Sequence, residues 1–193
     1  MSPLLSSFAS SALTAYGFQR GSSAPSSYEL ISTITPTSSS FSFTSIPATY
    51  THLQIRATVR SNYSSTNMGF TVTFNGDTAA NYSYHNVRGA NSAVSSGATA
   101  SASNYSGLSN PAGMAAANYF SGFVWDILDY ANTNKYKTSK IITGFVTASN
   151  NNQISLDSSS WRSTAAINQI TFNVVVGSVV TGTRFSLYGI KGA

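Results

Sequence analysis

The feature that most constrains this chain is a period of two in its apolar residues, which begins at Tyr28 and runs to the end. In 51–60, Leu53, Ile55, Ala57 and Val59 hold one set of alternate positions, and Gln54, Arg56, Thr58 and Arg60 hold the other. Side chains of a strand point alternately to its two faces, so such a segment is a strand with one face in a core. The same alternation recurs at Phe70, Val72 and Phe74, just before the tight-turn signal Asn75-Gly76-Asp77. It recurs at Phe123, Trp125 and Ile127, and again at Ile170, Phe172, Val174 and Val176. Further strands are expected at 28–35, 37–46, 80–87, 136–148 and 183–190, with one or two short ones between Gln153 and Trp161. The stretch 88–117 is rich in Gly, Ala, Ser and Asn and reads as a long loop.

Eight to ten strands are therefore expected, with turn signals about every 10 residues. No segment after Tyr28 has a helical period. The fold class is all-β, an antiparallel β-sandwich of jelly-roll-like form. It occupies 28–193.

Residues 1–27 read differently. Leu5, Phe8, Leu13 and Tyr16 fall on one helical face, with Leu4 and Ala12 beside them. Gly17, Gly21 and Pro25 break that pattern, and 20–27 is a Gly/Ser/Pro linker. The segment is expected to be an extended or short-helical arm. Its apolar residues Leu4, Leu5, Phe8, Leu13, Tyr16 and Phe18 are expected to serve assembly by docking on a neighbouring subunit.

Composition narrows the chemistry. Only 8% of the 193 residues are charged, against about 25% in ordinary globular domains. Ser, Thr and Asn supply 73 residues in their place. There is no cysteine, which excludes disulfides, a thiol nucleophile and Cys-ligated metals. The formal charge of +5 reflects 5 acidic residues more than 10 scattered basic ones. The one basic cluster, Lys135, Lys137 and Lys140, reads as a solvated turn, and no nucleic-acid partner is expected. No apolar run approaches the length of a membrane span. The N-terminal stretch lacks the basic and apolar regions of a secretory signal.

Catalytic candidates are few. Asp126 and Asp129 are the pair a glycosidase reading would use, but Asp129 and Asp77 sit in turns where Asp bonds nearby backbone. His52 and His85 lack a third ligand for a metal. No nucleotide-binding loop, nucleophile elbow or cofactor motif occurs. The expectation is a non-enzymatic protein with no cofactor. Trp125 reads as a core residue. Trp161 with Arg162, in a Ser-rich segment, is the candidate glycan contact.

Several stretches resemble small β-structured virion proteins of tailed bacteriophages. They are Tyr50-Thr-His-Leu-Gln-Ile-Arg56, Phe74-Asn-Gly-Asp77 followed by Asn81-Tyr-Ser-Tyr-His85, the run from Asp126 to Thr138, and the closing Arg184-Phe-Ser-Leu-Tyr-Gly-Ile-Lys-Gly192. The resemblance implies a virion part, assembled in the host cytoplasm. Its expected form is a capsid decoration (cement) protein on the particle exterior that docks through the arm. The alternative is a tail-fibre or tail-tip component that binds a host-surface glycan. The implied partners are the major capsid protein or other virion proteins, and a homotrimer is the expected oligomer.

Overall fold

Twelve strands and no helix occur among the described residues, which are 27–65, 67–111, 118–147 and 152–192 of a computed structural model. The expected arm therefore lies outside the described residues. In chain order the strands are β1 (Tyr28–Ile34), β2 (Ser40–Phe43), β3 (His52–Val59), β4 (Asn67–Phe74), β5 (Tyr82–Ala90) and β6 (Ala93–Ala102). They continue as β7 (Tyr105–Pro111), β8 (Ser121–Leu128), β9 (Lys137–Phe145), β10 (Gln153–Trp161), β11 (Ile170–Val174) and β12 (Arg184–Ile190).

Two sheets form, one of order β1-β12-β3-β8-β9-β10-β5-β6 and one of order β2-β11-β4-β7. Every pairing is antiparallel, and the pairings β1–β12, β2–β11, β3–β8 and β4–β7 describe one long hairpin. Rolling that hairpin up brings β12 beside β3 and β11 beside β4. This winding is a jelly roll of eight strands. Two hairpins are inserted into it. The β9–β10 and β5–β6 hairpins extend the first sheet beyond β8, by β9, β10, β5 and β6 in that order.

The alternation read in the sequence places the core between the sheets. Leu53, Ile55 and Val59 of β3, Trp125 and Ile127 of β8, and Phe185 and Leu187 of β12 face Phe70 and Val72 of β4 and Ile170 and Phe172 of β11, all buried. Phe172 lies at the centre. Its ring is 5.4 Å from Phe41, 5.0 Å from Phe185 and 6.1 Å from Trp125 between centroids. Such pairs contribute about 0.5–1.5 kcal/mol each beyond the area they bury.

The expectation for 88–117 is corrected by the structure. The stretch contains β6 and β7 instead of a long loop. Ala, Gly and Ser have weak strand preference, so no period of two stands out in this stretch. Tertiary pairing overrides that preference: β6 pairs along β5, and β7 pairs along β4. Tyr105 and Leu108, both buried, anchor β7 in the core. The segment from Gln153 to Trp161 is one strand of 9 residues. Its inward positions before Trp161 are polar and its outward Ile154 and Leu156 are exposed, reversing the usual sense of the alternation there.

Candidate functional site

The β5–β6 hairpin is a wing. It overhangs the edge of the four-stranded sheet, and nine of the ten residues of β6 are exposed. Two devices hold it in place. At its tip, Asn91, with φ of 54°, donates its backbone N–H to the Asn152 carbonyl at 3.0 Å and accepts the Asn152 N–H on its side chain at 3.0 Å. At its root, the Arg162 guanidinium donates to the Ala80 carbonyl and the Ser83 and Ser101 hydroxyls. β6 is the last strand of its sheet among the described residues, and it contains neither Pro nor a charged residue. Natural edge strands usually carry such residues to block pairing with other chains.

The outward face of the eight-stranded sheet is ordered in three cross-strand rows. The first is polar and runs Tyr188, Gln54, Asp126, Lys140, Ser158, His85. Within it Gln54 donates to Asp126 at 2.7 Å, and Arg56 from the next row donates to Gln54 at 2.7 Å. The second row turns apolar at Val124, Ile142, Leu156 and Val87. These four are 38 to 50% exposed, so they form a patch and not a scatter. The third row is Thr58, Gly122, Gly144, Ile154, Gly89, Val94. Its glycines lower the floor beside Val124 and Ile142. The result is a trough of about 580 Å³ with Arg56 and Arg184 at one end and Ile154 at the other.

Of the two residues expected to meet a glycan, Trp161 is withdrawn from solvent and Arg162 is half-buried. Trp161 is 3% exposed and packs against Phe74 and Tyr82. Its indole N–H donates to Asp77 at 2.7 Å. The expectation of an exposed aromatic is thus corrected. Trp161 closes one end of the sandwich because the Asp77 turn supplies the acceptor its buried N–H needs. Arg162 beside it pins the wing root.

The charged residues act as struts. Asp77 accepts from Ala79 N–H at 2.9 Å and from the Asn81 amide at 2.9 Å, besides Trp161. Burial alone would raise its pKa, but these three donors together hold it below the usual carboxylate range. Asp129 turns the chain with φ of 47°, pairs with Lys135, and donates its N–H to His52 at 2.9 Å. The hydrogen bond from Lys135 lowers its pKa. Asp126 also faces Lys140 at 3.9 Å. His52 and His85 lie on β3 and β5, four strand spacings or about 19 Å apart across the sheet.

The basic cluster is not a uniformly solvated turn. Lys137 is 1% exposed, and its ammonium donates to the carbonyls of Asn132, Lys135 and Thr164. Burial lowers its pKa, with Lys135 adding to the effect. Asp157 is the least satisfied acid. It is 1% exposed, burial raises its pKa, and Ser155 donates to only one of its oxygens. The Tyr105 hydroxyl lies beside it without forming a well-made hydrogen bond. Among the described residues no group of three His, Cys, Asp or Glu side chains is placed to hold a metal ion.

Compared with protein-family models, curated proteins and solved structures, the chain matches none.

Proposed function

We propose that this chain is a structural component of a multi-copy particle, specifically a decoration protein on the capsid exterior of a tailed-phage virion. The observation that carries the reading is the wing. A strand of Ala, Ser, Gly and Thr with a single Val, exposed on both faces, gains little from its own domain. Left open, its uncharged edge is a template for another chain. A part that ends its life covered by neighbours has no need to blunt that edge. The exposed row of Val124, Ile142, Leu156 and Val87 continues toward the same wing. A polar but uncharged surface packs against neighbours without the desolvation penalty of ion pairs.

The stretches that resemble phage virion proteins give the particle its kind. The partners are then the major capsid protein or other virion proteins, and the closed form a trimer. A glycan contact through the Trp161 ring loses its motive because the indole is buried, and the tail-fibre or tail-tip reading stands as the alternative.

The test places lysines on the wing, in a Ser96→Lys/Ala98→Lys variant. Both positions are exposed, so stability should stay within about 0.5 kcal/mol. Incorporation into particles should be lost. Incorporation at the wild-type level would contradict the proposal.

A further inference from the structure

We propose that the outward trough is the seat of the chain's own N-terminal segment, with apolar residues of 4–18 lying against Val124, Ile142 and Ile154. The exposure of those three residues, 38, 50 and 63%, marks a surface that lacks its cover among the described residues. Three observations select the segment as that cover.

The first is where the described chain starts. The Ser27 carbonyl accepts from Lys191 N–H at 3.1 Å, and Tyr28 places its ring over Arg56, 5.7 Å from the guanidinium. Arg56 lines the trough. The described chain therefore begins on the edge strand whose Tyr28 side chain shares the trough's face of the sheet.

The second is reach. Along the sheet, Val124 lies opposite Arg56 and Arg56 opposite Ser186, five residues before Lys191. That is about 17 Å along the strands and about 14 Å across three of them. The path to the trough is therefore about 22 to 28 Å. The linker 20–27 spans at most about 28 Å when extended. It ends where the apolar residues Phe18, Tyr16 and Leu13 begin.

The third is charge. No Asp, Glu, Lys or Arg occurs before Arg20. The trough floor between Gly122, Gly144 and Ile154 is equally uncharged. Docking one on the other strands no ion in a dry contact. The linker reaches this seat within one chain, so no second copy is needed to fill it. The inference does not depend on the particle proposed above.

The chain has no cysteine, so a single one can report the contact. The full chain carrying Ile154→Cys is labelled with a benzophenone maleimide and irradiated. Arg20 is the first tryptic site, so 1–20 is released as one peptide. The expected product is an adduct between the β10 peptide and 1–20, found in the monomeric band. Thr58→Cys, exposed on the trough's other wall, should give an adduct between its own tryptic peptide, 57–60, and 1–20 if Ile154→Cys disturbs folding. Adding Gly122→Leu should abolish it, because a Cβ at Gly122 meets nothing within 4 Å and the rest of a leucine side chain would occupy the trough. No adduct with 1–20 from either position would overturn the proposal. So would an adduct confined to a dimeric band, or one unchanged by Gly122→Leu.

Discussion

Replacing Asp77 by alanine should loosen the end of the sandwich from which the wing springs. The carboxylate holds three donors: Ala79 N–H, the Asn81 amide and the Trp161 indole N–H. Ala79 is exposed, and its N–H regains water when the acceptor is lost. Trp161 is 3% exposed, so its N–H regains little. A buried donor left without a partner costs about 1–3 kcal/mol. We take about 2 kcal/mol for Asp77→Ala, which for a chain of this size lowers Tm by about 4 to 8 °C. The assay is thermal unfolding followed by tryptophan fluorescence and circular dichroism, as a function of pH. The Asp77 pKa is depressed in the folded state. Its contribution is therefore complete above the unfolded value of about 3.9, and it disappears as pH falls through the lower folded value. Wild type and Asp77→Ala should differ at neutral pH, and the gap should narrow as pH falls below the unfolded value of about 3.9. A variant within about 1 °C of wild type at pH 7, or a gap that persists unchanged into strong acid, would show that the Asp77 carboxylate does not hold this end of the sandwich.

Asp157→Asn should act in the opposite sense. Its folded pKa is raised, so wild-type stability falls as pH rises from the unfolded value through the folded one. The amide should recover about 1 to 3 kcal/mol near neutrality and nothing near pH 3, read from melts at both pH values. Lys137→Met leaves the carbonyls of Asn132, Lys135 and Thr164 without their buried donor. It should cost about 2 to 4 kcal/mol in urea unfolding, and an unchanged midpoint would show that those carbonyls find other donors.

Much of the jelly roll was legible because its strands carry large residues at every second position. β3, β4, β8 and β11 could be read directly, since Leu53, Phe70, Trp125 and Phe172 each face the core. β6 could not be read. Its ten residues include only Val94 as a large apolar side chain, and that one is 80% exposed. Strand pairing with β5 specifies it, and pairing is invisible in a one-dimensional period. β7 had one signal that a closer reading uses: Tyr105 and Leu108 are the large apolar residues of an otherwise small-residue stretch.

The site was less legible than the fold. Trp161 looked exposed because Ser-rich sequence surrounds it, yet its acceptor comes from Asp77, 84 residues earlier. Lys137 looked solvated beside Lys135 and Lys140, yet its ammonium folds inward onto three carbonyls. The trough depends on Gly122 and Gly144 meeting side by side from different strands. Neither glycine signals this in the sequence. Low charge was visible at once, but its use on an open wing and an apolar row needed the strand register.

A part packed in many copies has a stoichiometry that can be counted. The most direct measurement is its copy number on purified particles, by quantitative mass spectrometry against the major capsid protein. A decoration protein on a symmetric shell should be present on the order of hundreds of copies, in a simple ratio to that protein. A count of a few to a few tens, or absence from the particle, would contradict the account.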